Sequence, residues 1–205
     1  NLQSTIDINI QKSIEREHNN IVDMFEPDMA LAIVMNPNTG EIYGMGSRPD
    51  YDPNNYQNYN QQVLSRNLPI WATYEPGSTQ KIITTSAAVE EKVVHLDNDL
   101  FYDNGSVKVD TAKIKCWKAG GHGQQTFMEV LQNSCNPGFV KMGQLLGKDR
   151  LFSYLDKFGF GAKTGVDLSG EGKGIIFPLS KVGNVELATT AFGQGISVTP
   201  IHLTV

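Results

Sequence analysis

Apolar and polar residues alternate with helical spacing near the start of the chain. Four apolar residues would share one face of a helix over residues 7–25, namely Ile10, Ile14, Ile21 and Phe25. Two short segments follow, at residues 30–35 and 41–46, and they flank the turn-forming sequence Asn-Pro-Asn-Thr-Gly. We therefore predict an amphipathic helix followed by a β-hairpin.

The remaining pattern predicts helices separated by polar stretches. Residues 47–77 show little periodicity and are interpreted as a long loop, and residues 97–125 are interpreted as loop-rich. Between them, a helix is predicted over about residues 78–93. Thr126, with Glu129 three residues later, forms a capping box that predicts another helix. Further helices are predicted at residues 137–146, 149–158 and 185–192, so the chain is interpreted as one α/β unit.

A helix-start signal stands close to the end of the chain. Thr199 is a capping residue and Pro200 suits the first helical position, but only five residues follow them. We expect this helix to be cut short and the strands that complete the sheet to lie beyond Val205. The chain is accordingly interpreted as one incomplete domain, residues 1–205.

Composition and charge narrow the class of protein. The chain has 17 Lys and Arg against 22 Asp and Glu, a net charge of −5, which argues against a surface for nucleic acid or anionic membranes. With 40% apolar and 19% charged residues, it is typical of a soluble domain. Its longest uncharged apolar run covers residues 30–35, far short of the roughly 20 residues that a membrane helix needs. Two cysteines are too few for a disulfide scaffold.

The first candidate chemistry is the sequence Ser78-Thr79-Gln80-Lys81 at the predicted start of a helix. Ser78 and Lys81 are three residues apart and would share one helix face. The simplest interpretation makes Ser78 a helix N-cap. Lys81 favours another, because the helix dipole disfavours a positive charge in the first turn, and that field together with burial lowers a lysine pKa. A neutral Lys81 would be a general base for a nucleophilic Ser78.

The second candidate is the polar break Asn-Ser-Cys-Asn-Pro-Gly at residues 133–138, between two predicted helices. Taken alone, it is typical of a helix-ending turn stabilised by Asn and Gly. Beside Ser78 and Lys81 it favours a catalytic role. The hydroxyl of Ser134 would relay protons, and the amide of Asn136 would hold a substrate amide by paired hydrogen bonds.

These two motifs resemble the first two active-site motifs of the penicillin-binding proteins and serine β-lactamases. Other sequences along the chain are more specific and are similar to class B penicillin-binding proteins, closest to the sporulation-specific and elongation-specific types. The matching sequences lie at residues 32–41, 49–54, 74–78, 158–161 and 193–200. The resemblance covers nearly the whole chain.

The resemblance implies the penicillin-binding and serine β-lactamase-like fold, an α+β arrangement with an antiparallel sheet flanked by helices. It also implies a D,D-transpeptidase that acts on peptidoglycan stem peptides ending in D-alanyl-D-alanine and that β-lactams acylate. Ser78 would be the acylated nucleophile and Lys81 its general base. Ser134 would relay protons and Asn136 would bind the donor peptide's amide, so both would contact the substrate.

The same resemblance implies a cellular setting. The protein would act in spore cortex or elongation wall synthesis, at the extracytoplasmic face of the bacterial membrane. A membrane anchor and an N-terminal pedestal domain would precede Asn1, and a membrane glycosyltransferase would be a partner.

Two departures from the family pattern are visible. The third active-site motif, Lys-Thr-Gly or Lys-Ser-Gly on a strand, would lie beyond Val205. The sequence Lys-Thr-Gly at residues 163–165 is not interpreted as this motif. Its surroundings match a surface segment of the family, and no run of β-branched residues, typical of a strand, precedes it. Gln80 stands where an aromatic residue is usual, and we expect it to affect packing more than chemistry.

The cysteines belong to a second candidate site. Cys116, His122 and Cys135 fall within twenty residues. Three interpretations are open: two buried small side chains beside a loop histidine, a disulfide, or a zinc site. Tetrahedral zinc needs a fourth ligand, for which Asp103 is the candidate, and this spacing resembles a metal site of elongation-type class B enzymes. We favour zinc, because a disulfide gives His122 and Asp103 no role.

Three functions remain open from the sequence. The first is the peptidoglycan transpeptidase. The second is a serine β-lactamase or β-lactam-sensing domain, for which no residue can be assigned as the base of a deacylating water. The third is a catalytically silent scaffold of the wall-synthesis machinery, which the presence of all four catalytic residues argues against.

Overall fold

The helices and strands of the chain are seen in a computed structural model that describes residues 3–205. The α-helices are α1 (Ile8–Phe25), α2 (Gln61–Leu64), α3 (Leu68–Trp71), α4 (Lys81–Glu90), α5 (Phe127–Gln132), α6 (Asn136–Leu146), α7 (Lys148–Lys157), α8 (Asn184–Thr190) and α9 (Pro200–Thr204). The strands are β1 (Ala30–Met35), β2 (Ile42–Arg48), β3 (Leu100–Asp103), β4 (Ser106–Val109), β5 (Ala112–Lys115) and β6 (Gly123–Thr126). Short 3₁₀ helices lie at Pro53–Asn58, Gly77–Gln80 and Leu179–Lys181. The fold is therefore α+β with antiparallel strand pairs.

The chain divides into two compact units. The first contains the chain up to Thr73 together with residues 163–173 and 199–205. The second contains residues 74–162 and 174–198. Every candidate catalytic and metal-binding residue belongs to the second unit, so the site is built within that unit alone.

The first unit contains the helix and hairpin predicted from the sequence, and both predictions are confirmed. Asp7 caps α1 by accepting hydrogen bonds from backbone N–H groups of its first turn. β1 and β2 pair antiparallel, with Ala30 opposite Arg48. α1 lies on β2 where the strand carries glycine, since a Cβ at Gly44 would come within 2.7 Å of the Ile14 side chain. The absence of a side chain there permits the close approach of helix and strand.

Two stretches interpreted as loops contain regular structure. Residues 47–77 hold the end of β2, helices α2 and α3 and the 3₁₀ helix Pro53–Asn58. The stretch predicted at 97–125 is occupied largely by β3 to β6, in which β3 pairs with β6 and β4 with β5. Both loop interpretations are wrong, because helices and strands of four residues are too short to show a clear periodic pattern.

The second unit is built around α6, against which α4, α7 and α8 pack. Three of its side chains are fully buried, namely Phe139, Val140 and Met142. Contact with α8 is close because Gly143 has no side chain, and a Cβ there would lie 2.6 Å from the Cβ of Ala191. This packing brings the start of α4 beside the start of α6. The helices predicted from residue 126 onward are confirmed, including the capping box of Thr126 and Glu129.

Two further observations concern the described residues. None of their helices is both long and apolar enough to cross a membrane. The Lys-Thr-Gly sequence at residues 163–165 lies in irregular chain outside the strands. There the buried carboxylate of Glu171 accepts hydrogen bonds from the backbone N–H and the hydroxyl of Thr164 at 2.6 and 2.7 Å. This setting agrees with the prediction that the sequence is not a strand-borne active-site motif.

Candidate active site

The candidate nucleophile, Ser78, lies in a tight turn just before α4. Gly77 has a φ of +56°, a left-handed conformation that glycine adopts without strain. The 3₁₀ helix Gly77–Gln80 follows, and residues three apart eclipse each other in such a helix, so Ser78 and Lys81 project on the same side. Ser78 is exposed, and its hydroxyl accepts a hydrogen bond from Ser134. The N-cap positions of this 3₁₀ helix and of α4 are held by Pro76 and Gln80, so Ser78 does not act as a helix N-cap.

The segment at residues 193–195 supports this turn. The backbone N–H of Gly77 donates to the carbonyl of Gly193 at 2.9 Å. The carboxylate of Glu75 accepts a hydrogen bond from the N–H of Gly195 at 2.8 Å. The contact of this turn with residues 193–195 is not predicted from the sequence. Its one signal is the Gly-Gln-Gly sequence, because closely spaced glycines favour close approach of two backbones.

Lys81 is buried, with 2% of its surface exposed. Its Nζ donates to the carbonyl oxygen of Ser134 at 2.9 Å, to Oγ of Ser134 at 2.8 Å and to Oδ1 of Asn136 at 2.6 Å. Burial lowers the pKa of Lys81 from its ordinary value to about 8. Roughly a tenth of the Lys81 side chains are therefore neutral at pH 7, against fewer than about one in a thousand for an ordinary lysine.

The hydrogen-bonded path from Ser78 to Lys81 runs through Ser134. Oγ of Ser134 lies 3.0 Å from Oγ of Ser78 and 2.8 Å from Nζ of Lys81. A neutral amine has two N–H donors and one lone pair. The carbonyl of Ser134 and Oδ1 of Asn136 accept the two donors, which leaves the lone pair for the hydroxyl of Ser134. This arrangement suits proton transfer from Ser78 to Ser134 while Ser134 passes its own proton to Lys81.

Ser134 has a backbone conformation that is unusual for a residue with a side chain. Its φ is +49°, in the left-handed region where glycine is usual. It follows the end of α5, where the N–H groups of Ser134 and Cys135 donate to the carbonyls of Leu131 and Val130, both at 3.0 Å. This pairing is a Schellman motif, in which glycine is favoured at the position of Ser134. A serine there costs about 1–2 kcal/mol, and strain of this kind clusters at functional sites.

The four predicted metal ligands lie together in the same unit. One ligand atom from each of Asp103, Cys116, His122 and Cys135 lies within 4.8 Å of the others. Nδ1 of His122 is 3.0 Å from Oδ2 of Asp103 and 3.4 Å from Sγ of Cys116. Sγ of Cys135 is 3.4 Å from the same Oδ2, and both cysteines are free. Asp103 ends β3, Cys116 follows β5 and His122 precedes β6, so short strands position three of the four.

The donor set fits a zinc ion. Bonds of about 2.0–2.3 Å to a tetrahedral zinc place ligand atoms roughly 3.3–3.8 Å apart, close to the distances of 3.0 and 3.4 Å seen here. Burial raises the pKa of Asp103, but hydrogen bonds from Cys116, Gly105 and His122 outweigh it and lower that pKa to about 2. Burial raises the pKa of Cys135 to about 12. A bound cation would replace the thiol protons and compensate the carboxylate charge.

Gln80 is an unusual member of the first motif. It is fully buried, and neither polar atom of its amide has a hydrogen-bond partner in the described part of the chain. A buried unsatisfied polar group costs about 1–3 kcal/mol. We expect Gln80→Leu to raise the free energy of unfolding by about this amount, measured by urea denaturation. The control Gln144→Leu, at an exposed position on α6, should change it by less than about 0.5 kcal/mol. A Gln80→Leu protein no more stable than wild type would contradict this reading of the buried amide.

Comparison with known proteins shows the family to which the chain belongs. The family model of the penicillin binding protein transpeptidase domain matches residues 30–204. The chain is 59% identical over 201 residues to stage V sporulation protein D of Bacillus subtilis, covering 98% of this chain and 31% of that protein. It is 31% identical over 207 residues to the peptidoglycan D,D-transpeptidase FtsI of Escherichia coli, covering 99% of this chain and 34% of that protein.

Solved structures give the same result for the fold. The TP domain of penicillin-binding protein 3 from Burkholderia pseudomallei matches with a TM-score of 0.84 and 26% sequence identity, over 98% of this chain and 55% of that one. The chain spans about a third of the length of the curated relatives named above. The fold class and the family resemblance predicted from the sequence are both confirmed. The chain belongs to the penicillin-binding protein transpeptidase domain family.

Proposed function

We propose that this chain is the catalytic part of a serine D,D-transpeptidase, which cross-links peptidoglycan stem peptides and which β-lactams inhibit by acylating Ser78. The observation that carries the proposal is the hydrogen-bonded path from Ser78 through Ser134 to the buried Lys81. Membership of the transpeptidase family supports it, as does similarity to a relative named for this reaction.

The geometry suggests how each residue acts. Oγ of Ser78 attacks the carbonyl carbon of the penultimate D-alanine, its proton passes to Ser134, and the proton of Ser134 passes to neutral Lys81. The peptide bond to the terminal D-alanine then breaks, and the leaving amine takes the proton that Lys81 returns through Ser134. An amine of a neighbouring stem peptide then attacks the ester on Ser78 and gives up a proton to Ser134 and Lys81. The ester bond breaks, Oγ of Ser78 takes a proton back from Ser134, and the cross-linked product leaves. Asn136 would hold the amide of the donor peptide during both steps.

Acylation should become faster as the pH rises, because Lys81 acts as a base in its neutral form. With a pKa lowered to about 8 by burial, the neutral fraction grows about tenfold per pH unit below that value and levels off above it. We expect the rate constant for acylation by benzylpenicillin to follow this curve from about pH 6 to pH 9, measured by stopped-flow mixing. A rate that does not change with pH, or that falls as the pH rises, would contradict this role of Lys81.

The proposal includes the cellular setting. The protein would work at the outer face of the bacterial membrane, held by an anchor and associated with a membrane glycosyltransferase. Similarity to stage V sporulation protein D supports a role in spore cortex synthesis, and the candidate metal ligands resemble those of elongation-type enzymes. A net charge of −5 gives no support to a nucleic-acid partner.

A reaction with a defined donor and acceptor separates this function from the two alternatives. Full-length protein, reduced and loaded with zinc, is incubated with a pentapeptide ending in D-alanyl-D-alanine and with an acceptor amine. A transpeptidase releases D-alanine and joins the peptide to the amine, and both products are measured by mass spectrometry. Rapid hydrolysis of benzylpenicillin without the joined product would instead favour a β-lactamase. A protein that releases no D-alanine and forms no penicillin adduct would favour a silent scaffold.

We also propose that Asp103, Cys116, His122 and Cys135 hold a structural zinc ion. The ion would link β3 and the chain between β5 and β6 to Cys135, and so restrain the two catalytic residues on either side of that cysteine. No step of the reaction passes through it. The alternative is a disulfide between Cys116 and Cys135, which would leave the carboxylate and the imidazole without a ligand role.

Removal of zinc should lower both stability and acylation. We expect one zinc per chain after purification under reducing conditions, and a fall in melting temperature of about 5 °C or more after chelation. His122→Ala should lose the metal, whereas the control His95→Ala, at an exposed position, should keep it. An unchanged melting temperature and acylation rate in metal-free, reduced protein would contradict the proposal.

A further inference from the structure

Trp117 connects the two loops that carry the candidate site. Its indole Nε1 donates to the backbone carbonyl of Asn133, the residue directly before Ser134, at 2.8 Å. Its ring meets His122 edge-on, with 5.4 Å between ring centroids. The side chain is nevertheless 69% exposed. Burial therefore does not explain its placement, whereas the hydrogen bond to Asn133 does.

That hydrogen bond acts on the peptide unit that determines the conformation of Ser134. The carbonyl of Asn133 and the N–H of Ser134 belong to one planar group. The φ of Ser134, +49°, is the rotation between that group and the rest of the residue. The next peptide unit is also held, because the carbonyl of Ser134 accepts a hydrogen bond from Lys81 at 2.9 Å. Both peptide units that flank Ser134 are therefore fixed by side-chain donors.

The end of α5 leaves the carbonyl of Asn133 available for this contact. Carbonyls in the last turn of a helix lack helical partners. The Schellman motif uses the carbonyls of Val130 and Leu131, and Trp117 supplies the donor for Asn133. Without that donor, Ser134 would be freer to leave its left-handed conformation, which is higher in energy than the right-handed one for a residue with a side chain. Its Oγ would then move away from Ser78 and Lys81.

We propose that Trp117 is a positioning residue for the proton relay. Its N–H holds Ser134 in the conformation in which the Ser134 hydroxyl bridges Ser78 and Lys81. The inference rests on the proposed function, in which Ser134 carries the proton, and it adds a residue that lies outside the two catalytic motifs.

The test compares Trp117→Phe with wild type in the full-length, zinc-loaded protein. Phenylalanine keeps an aromatic ring beside His122 and removes the N–H. Acylation by benzylpenicillin is resolved into the dissociation constant of the first complex and the rate constant of the covalent step. We expect that rate constant to fall about 10–100-fold, with the dissociation constant and the zinc content unchanged. Trp71→Phe, in the first unit, is the matched control and should behave as wild type.

A double-mutant cycle distinguishes positioning of Ser134 from a purely structural role. In a Ser134→Ala background, Trp117→Phe should change the rate constant by less than about twofold, because no hydroxyl remains to be positioned. The same fall in both backgrounds would overturn the inference, and so would a wild-type rate in the single variant. A wild-type protein that benzylpenicillin does not acylate would instead overturn the proposed function itself.

Discussion

Replacing Lys81 by methionine should slow the acylation of Ser78 by about 10²–10⁴-fold, the usual contribution of a general base. Lys81 is 2% exposed, and its Nζ lies 5.1 Å from the ring centroid of Phe139. Methionine has a similar length, no basic group and the flexibility to occupy this space. Methionine lacks the desolvation cost of a buried amine, but it also loses the hydrogen bonds of Lys81 to Ser134 and Asn136. The two effects oppose each other, so we expect Lys81→Met to change the free energy of unfolding by less than about 3 kcal/mol.

The measurement combines the acylation rate constant with the melting temperature of the same sample. Lys141→Met, at an exposed position on α6, is the matched control and should retain the wild-type rate. An acylation rate in Lys81→Met within about tenfold of wild type would contradict the role of Lys81 as base. A large fall in its melting temperature would show that the lysine is needed for folding instead.

Gly193→Ala should lower both the free energy of unfolding and the rate at which benzylpenicillin acylates Ser78. Gly193 has a φ of +83°, and a Cβ there would overlap the carbonyl oxygen of Gly77 and lie 2.7 Å from its carbonyl carbon. The left-handed conformation and the clash together should cost about 2–5 kcal/mol. The clash is with the residue before Ser78, so we expect acylation by benzylpenicillin to fall by about 10²-fold, the effect of a displacement of about 1 Å.

The control Gly147→Ala separates the effect of the positive φ from the effect of the clash with Gly77. Gly147 has a φ of +74°, but a Cβ there would meet no atom within 4 Å. This control should lose about 1–3 kcal/mol of stability, because its φ and ψ of 74° and 162° lie in a region that only glycine adopts readily. It should keep the wild-type acylation rate, and the two quantities are measured by urea denaturation and stopped-flow mixing. Equal effects of the two substitutions would show that the contact between Gly193 and Gly77 does not position Ser78.

The sequence predicts those parts of the site that depend on local structure. Helix α5 follows from the capping box of Thr126 and Glu129, and the shared side of Ser78 and Lys81 follows from their spacing of three residues. Lys81 and Ser134 are in contact although they are 53 residues apart along the chain, and no periodicity predicts a contact over that sequence separation. The family resemblance supplies that expectation, together with Asp103 as the fourth candidate ligand.

The features that sequence reasoning does not predict depend on backbone groups or on very short elements. The strands β3 to β6 each have four residues, too few to distinguish alternation from chance. The contact of Trp117 is made to a backbone carbonyl 16 residues away, and every residue has a carbonyl. The support of Gly77 by Gly193 is likewise a backbone hydrogen bond. Such contacts leave no pattern of side chains in the sequence.

Localisation of the penicilloyl group tests the central claim most directly. Full-length protein, reduced and loaded with zinc, is treated with benzylpenicillin and measured by intact-mass spectrometry, and the modified residue is then identified by peptide mapping. We predict one persistent adduct per chain, located on Ser78 and absent from Ser78→Ala. An adduct on another residue, or one that survives in Ser78→Ala, would contradict the assignment of Ser78 as the nucleophile.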